Sequence, residues 1–243
     1  MPLGIRSARS INSFTRRVPP LTQRWFSAGQ TLRSEGEANP ETLFYPEVPS
    51  SAKHHDLDSF LRYTTQSGLD TTSTTYIGTH FEYTVADSLS KHGFHLRRVG
   101  GASDNGIDLL GTWTVPSAPK PLRVLVQCKA LSRKTGPHLV RELEGAFAGA
   151  PVGWRGPGVI GLLVTERPAT QGTREALGRS RSPMGFVSCT RAGILVQLLW
   201  NPSAQDQGLE GVEVRAQHVP VGAGGAVRLA LTFKGGEFSQ IAS

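Results

Sequence analysis

The sequence predicts an α/β domain with layers stacked around a mixed β-sheet. Three features of the sequence support this fold class. Helix-like and strand-like segments alternate between residues 76 and 201, the strand-like segments are rich in aliphatic residues, and a Pro-rich turn at 116–121 joins two of them into a hairpin. The chain of 243 residues is long enough for one such domain with extensions.

Hydrophobic spacing and turn residues predict the elements of this domain in order. Helices are predicted over 78–92, 137–149 and 170–179, and strands over 94–99, 106–115, 122–130, 159–165, 186–190 and 194–200. The first helix has a buried stripe formed by Phe81, Val85 and Leu89. Pro137 is typical of the first turn of the second helix and Gly149 of its end.

The first 26 residues differ in composition from the rest of the chain. They hold five arginines and no acid, and therefore carry most of the formal net charge of +7. A basic, acid-free leader is typical of a mitochondrial presequence, and the residues around Phe26 resemble a matrix processing site. The alternative is a disordered basic tail. We predict that residues 1–26 are a mitochondrial presequence without a fixed fold, and that the protein is located in the mitochondrial matrix.

The other extensions carry weaker signals. Residues 27–75 are polar and include a Thr- and Ser-rich run, which indicates a flexible linker with a short helix near Leu57 to Tyr63. Residues 202–243 are Gly-rich, and 212–219 and 226–233 indicate a peripheral hairpin. No apolar run approaches the roughly 18 residues that a membrane span needs, so no span is predicted.

Polar residues converge at one end of the predicted central hairpin. If the Pro-rich turn is symmetrical, Val115 pairs with Leu122, and Asp108 then lies opposite Lys129. Gln127 precedes Lys129 by two positions, so both side chains project from one face of the strand. Burying such groups without partners is costly. The sequence therefore predicts a functional cluster here, with a buried polar cluster kept for packing as the alternative.

Glu82 is the fourth residue of this predicted site. It lies within the apolar stripe of the first helix, so its carboxylate should point toward the sheet and needs a metal or another cation. This set of groups suits phosphodiester hydrolysis with a hard divalent cation. It comprises two carboxylates, the Lys129 ammonium, and either the Gln127 amide oxygen or the Cys128 backbone carbonyl. The side chain of Cys128 is expected to face away into the core.

Cysteine count and motifs exclude other classes of protein. Cys128 and Cys189 are the only cysteines, which rules out a thiolate zinc site or a disulfide framework as an organising feature. The sequence also contains no P-loop motif and no Ser-nucleophile motif of the form G-x-S-x-G.

Three short segments carry a family resemblance: G-T-H-F-E at 78–82, D-N-G-I-D-L-L-G at 104–111 and V-Q-C-K at 126–129. They resemble the Mrr-type restriction-endonuclease branch of the PD-(D/E)XK nuclease superfamily. Together with the leader, the chain resembles the fungal mitochondrial family "required for respiratory growth protein 7". The resemblance implies a restriction-endonuclease-like three-layer fold, magnesium (or Mn²⁺) as cofactor, and catalytic roles for Glu82, Asp108, Gln127 and Lys129. Gln127 replaces the second acid of the common pattern, which should weaken metal binding.

Basic residues near the predicted site suggest DNA or RNA as partner. The residues concerned are Arg97, Arg98, Arg133, Lys134 and His138. They either contact phosphates or are scattered surface charges. Glu142 either orients Lys129 or lies on a solvated helix face, and Asp104 is either an outer metal ligand or a turn residue.

Two functions are consistent with this sequence. The first is a metal-dependent nuclease acting on mitochondrial DNA or RNA. The alternative is a nuclease fold without catalysis, serving as a nucleic-acid-binding module or an assembly factor for the respiratory chain or mitoribosome. The oligomeric state stays open, although a homodimer would let a nuclease reach both strands of a duplex.

Overall fold

A computed structural model describes residues 43, 45–46, 53–100, 106–131, 133–219 and 226–238. All of them belong to one compact unit, Leu43–Ser243. The predicted presequence at 1–26 and Asp104 lie outside the described residues. Within the described part, no helix is long and apolar enough to cross a membrane.

The elements alternate much as the sequence predicts. The helices are α1 Leu57–Ser67, α2 Thr74–Ser90, α3 Pro137–Gly149 and α4 Gln171–Arg179, and a short turn Pro202–Ala204 runs into a π-helical turn Gln205–Leu209. The strands are β1 Phe94–Arg98, β2 Leu109–Trp113, β3 Leu122–Lys129, β4 Val159–Thr165, β5 Met184–Cys189, β6 Leu195–Trp200, β7 Val212–Val219, β8 Ala226–Phe233 and β9 Gly236–Glu237.

The central sheet is mixed and has six strands in the order β1-β2-β3-β4-β5-β6. Strands β3, β4 and β5 run parallel to each other, because α3 and α4 cross over between them, whereas the other pairs are antiparallel. Helices α3 and α4 pack together on one face. Helix α2 covers the other face. The predicted three-layer α/β domain with a mixed central sheet is therefore confirmed.

Strand β3 shows how the sheet divides the core. Val124 and Val126 pack with Phe81, Val85 and Leu89 of α2. Leu125, the residue between them, packs on the opposite face with the buried side chains of α3. This alternation follows from the period of two in a β-strand.

Residues 53–75 are more ordered than the sequence predicts. Helix α1 begins after the N-cap Asp56, whose side chain accepts a hydrogen bond from the Ser59 backbone in a capping box. Phe60 is only 1% exposed and packs against the rings of Tyr76 and Tyr83. The predicted short helix near Leu57 to Tyr63 is therefore confirmed as part of α1, and apolar burial and helix caps hold it on the domain.

The C-terminal hairpin forms at the predicted positions, but it is not peripheral. Strands β7 and β8 pair from Val212–Phe233 to Val219–Ala226. Leu229 and Leu231 of β8 are buried in the same hydrophobic cluster as α2. The hairpin therefore covers part of the same sheet face as α2 and contributes to the main core.

Candidate functional site

The central hairpin has a different register from the predicted one. Trp113, not Val115, pairs with Leu122, so the register is shifted by two residues. The Thr114 backbone N–H donates to the Gly93 carbonyl and so continues the pairing with β1, whereas the pairing with β3 ends at Trp113. Asp108 consequently lies beyond the last paired position of β2, and the predicted pairing of Asp108 with Lys129 is wrong.

Asp108 instead hydrogen-bonds to the part of β3 that extends beyond its pairing with β2. The ladder with β2 ends at the Leu109–Val126 pair, whereas β3 continues to Lys129 beside β4. The Cys128 backbone N–H donates to Oδ2 of Asp108 over 2.6 Å. Since the N–H and C=O of one strand residue point to the same side, the Cys128 carbonyl also faces the Asp108 segment. The carboxylate thus lies at the backbone of Cys128, at the end of β3.

The Gln127 amide is buried on the α3 side of the sheet. Its side chain is 1% exposed, and its Nε2 donates to Oε1 of Glu142 at 3.0 Å. Its Oε1 has no hydrogen-bond partner among the described residues. A Cβ at Gly106, whose φ is +77°, would come within 2.7 Å of Nε2, so only glycine fits over this amide.

Lys129 lies on the same face of β3 as Gln127. Its Nζ is 2.7 Å from Oε1 of Glu142, the oxygen that also accepts from Gln127. The sequence pattern allows Glu142 either to orient Lys129 or to lie on a solvated helix face. The structure places its carboxylate in direct contact with both residues, while nearly half of the side chain remains exposed.

Glu82 points inward, as its position in the helical stripe predicts. Its side chain is 12% exposed, but the cation beside it is Arg98, whose Nε donates to Glu82 Oε2. The Arg98 guanidinium turns inward from β1 to pair with this carboxylate, and its predicted phosphate contact stays a prediction. Of the four predicted catalytic residues, Glu82 therefore lies on the α2 side, Gln127 and Lys129 lie on the α3 side, and Asp108 lies at the end of β3.

Asp108 and Glu82 both influence the pKa of the Cys128 thiol. Burial raises the pKa of the Cys128 thiol well above its usual value, and the carboxylates of Asp108 and Glu82 raise it further. The thiol packs toward α2 as predicted. A thiol that stays protonated at neutral pH is a poor nucleophile, so Cys128 contributes only its main chain to the site.

The donor set suits a hard divalent cation. Within the described ranges, no group of three or more His, Cys, Asp and Glu residues is arranged to hold a metal. The oxygen groups in this region are the carboxylates of Asp108 and Glu82, the Cys128 carbonyl, and Gln127 Oε1, which has no hydrogen-bond partner among the described residues. All are oxygens, which Mg²⁺ prefers, and Mg²⁺ commonly keeps several waters beside one or two carboxylates.

The other predicted nucleic-acid contacts occupy two places. Arg97 is exposed on β1, with its guanidinium 4.7 Å from the centre of the Tyr45 ring. Arg133, Lys134 and His138 are exposed around the start of α3, whose N-cap Gly136 makes no side-chain capping bond. Cations beside free helix N–H groups favour anions.

Three further aromatic or basic residues serve the fold. Trp113 and Trp154 are fully buried, so neither ring can stack on a base. Arg123 donates to the backbone carbonyls of Gly153 and Pro157. These side chains stabilise the loops next to the sheet.

Arg98→Met tests the inward ion pair on the α2 side. The free energy of unfolding should fall by about 1–2 kcal/mol, since the pair is largely but not fully removed from solvent. The double variant Glu82→Gln/Arg98→Met should lose less than the sum of the two single variants, because each single change removes the same interaction. Urea denaturation of all four chains measures this coupling, and strictly additive losses would show that the contact contributes nothing.

Fold and site together define a three-layer α/β domain with an oxygen-rich polar site at the end of its central hairpin. A family model described as "Required for respiratory growth protein 7" matches residues 73–120 and 116–217, more than half of the chain. The chain belongs to this family.

Relatives of the chain include mitochondrial proteins of two yeasts. An uncharacterized mitochondrial protein of Schizosaccharomyces pombe is 32% identical over 158 residues, covering 63% of this chain and 62% of the relative. "Required for respiratory growth protein 7, mitochondrial" of Saccharomyces cerevisiae is 31% identical over 127 residues, covering 35% of this chain and 52% of the relative. The chain thus spans between about half and three fifths of these relatives.

One solved structure also matches. The MspJI restriction endonuclease in complex with a 27-mer oligonucleotide has a TM-score of 0.30 and 16% identity, covering 54% of this chain and 28% of that one. A similarity this low supports no conclusion about fold or function.

Proposed function

We propose that the protein is a metal-dependent phosphodiesterase that cuts nucleic acid in the mitochondrial matrix. The proposal rests chiefly on one observation: a buried Gln127 amide leaves its Oε1 without a partner among the described residues, on a strand whose next residue, Cys128, donates to Asp108 and whose Lys129 side chain lies on the same face. A fold gains no stability from a buried amide oxygen that lacks a hydrogen bond. A cation at this place would supply the missing partner.

Each residue of the site has a defined task in this function. Asp108 and Glu82 supply negative charge for the cation, and Gln127 Oε1 and the Cys128 carbonyl complete the protein oxygens. Bound Mg²⁺ supplies a Lewis acid for the phosphoryl group. Lys129 steadies the negative charge that develops on the phosphate oxygens during attack. The basic residues at the start of α3, Arg133, Lys134 and His138, hold the phosphate backbone by charge.

The names of the relatives agree with this proposal. They connect those proteins with mitochondria and with respiratory growth. A nuclease in the mitochondrial matrix would serve maintenance or expression of the mitochondrial genome, on which respiration depends. Such a protein acts on DNA or RNA, and its phosphate contacts should weaken as salt rises.

Lys129→Met tests the proposed chemistry. The full chain is incubated with duplex DNA, single-stranded DNA and RNA in Mg²⁺ or Mn²⁺, and the rate of strand cleavage is measured with EDTA as blank. Loss of the ammonium should lower the rate by about 100-fold or more, because transition-state charge loses a donor. Lys91→Met, which removes an exposed lysine of α2, is the matched control and should cleave normally. Equal cleavage by both variants, or cleavage in EDTA, would refute the proposal.

A chain that binds nucleic acid in a salt-dependent way without cutting it would favour the binding-module alternative.

A further inference from the structure

Glu142 makes two hydrogen bonds to the candidate site through a single oxygen. Its Oε1 accepts from Gln127 Nε2 at 3.0 Å and from Lys129 Nζ at 2.7 Å. Glu142 comes from α3, which follows β3 in the chain and packs on the same face of the sheet as these two side chains. The two residues are therefore linked through one atom of a neighbouring helix.

This contact determines which way the Gln127 amide faces. An ionised carboxylate only accepts hydrogen bonds, so Gln127 must present its NH₂ group, not its oxygen, to Glu142. A glutamine amide has no such preference of its own, because its two ends have nearly the same shape. Its Oε1 is consequently directed away from Glu142, and it is the buried oxygen without a partner among the described residues.

We infer that Glu142 is a positioning residue: it orients the Gln127 amide so that Oε1 is available to a cation, and it holds the Lys129 ammonium on the same face. This inference rests on the proposed function. Glu142 touches neither substrate nor cation in this role. It acts through the two residues that do, as the groups that hydrogen-bond to metal ligands do in other sites.

Helix α3 provides a matched comparison for Glu142. Glu144 lies two residues further along the same helix, and its Oε1 accepts from Ser180 Oγ beyond the end of α4. Residues two apart on a helix point in different directions. Changing Glu144 therefore alters the charge of α3 without touching Gln127 or Lys129.

The test uses the full chain and two measurements that do not depend on cleavage. The first is the NMR signal pair of the Gln127 side-chain NH₂ without metal, assigned by its loss in Gln127→Leu. The second is the dissociation constant for Mn²⁺ alone, measured by electron paramagnetic resonance. Both are compared among the unchanged chain, Glu142→Ala, Glu142→Gln and Glu144→Gln.

In Glu142→Ala, the Gln127 NH₂ signals should move to the positions of a free amide and exchange faster with water. The Mn²⁺ dissociation constant should rise by about 10-fold or more, the size seen when the hydrogen-bond partner of a metal ligand is removed. Glu142→Gln retains an acceptor oxygen and should restore part of both properties. Glu144→Gln should match the unchanged chain in both.

The outcomes separate this inference from the proposed function. An unchanged chain that binds no Mn²⁺ would refute the proposed function itself. An unchanged chain that binds Mn²⁺, together with a Glu142→Ala variant whose amide signals and Mn²⁺ affinity equal those of Glu144→Gln, would overturn only the positioning role.

Discussion

Asp108→Asn should lower the rate of nucleic-acid cleavage by about 100-fold or more, because it removes a charge that a divalent cation needs for binding and activation. The asparagine oxygen can still accept the hydrogen bond from the Cys128 N–H, now 2.6 Å from Asp108 Oδ2. The free energy of unfolding should therefore change by less than about 1 kcal/mol. Single-turnover cleavage in Mg²⁺ and urea denaturation of the same preparation measure both quantities.

Asp87→Asn is the matched control for this variant. Asp87 is an exposed acid of α2 that pairs with Lys91 at 3.2 Å, on the surface of the same domain. It carries the same charge change and should leave cleavage unaltered, since exposed pairs contribute little. If Asp108→Asn and Asp87→Asn cleave at the same rate, Asp108 does not hold a catalytic cation.

Gly111→Ala should give the largest loss of stability among single changes in the hairpin. Gly111 pairs with Leu96 of the edge strand β1. A Cβ at this position would come within 1.9 Å of the His95 carbonyl oxygen and 2.8 Å of Leu96 Cα. These are backbone atoms, so β1 must move away from β2. The free energy of unfolding should fall by about 3 kcal/mol, the upper part of the usual range for overpacking.

Gly145→Ala is the control that separates the steric clash at Gly111 from the general effect of replacing a glycine with alanine. Gly145 lies on the exposed side of α3, and a Cβ there meets no other atom within 4 Å. Alanine favours the helix over glycine, so this variant should gain about 0.5–1 kcal/mol. Urea denaturation compares the two variants directly. Equal stability of Gly111→Ala and the unchanged chain would show that β1 and β2 are not packed as closely as described.

Several elements could be predicted from local sequence because local interactions define their limits. Pro137 begins α3 and Gly149 ends it, as predicted. Strand β4 is an unbroken aliphatic run, and the structure gives it the predicted bounds, Val159–Thr165. The buried stripe of α2 and the inward direction of Glu82 follow from helical spacing alone.

Other features depended on contacts between distant residues. Glu82 was expected beside the hairpin cluster, yet its partner is Arg98 on β1, which a helical pattern cannot identify. The short helix near Leu57 became part of the core because Phe60 meets two tyrosines of α2. The part that Glu142 plays depends on the rotation of α3 over β3, and its spacing in the sequence resembles that of any exposed acid.

The sequence by itself determined the α/β class, most element limits and the shared face of Gln127 and Lys129 on β3, since periodicity and capping are local properties of the chain. Only the tertiary structure decided the register of the hairpin and the partners of these side chains. A register is set by the turn geometry and by which strand faces become buried, and burial depends on residues distant in the chain. A side chain takes the partner that packing brings within reach, so Glu142 and Arg98 became parts of the site through the fold.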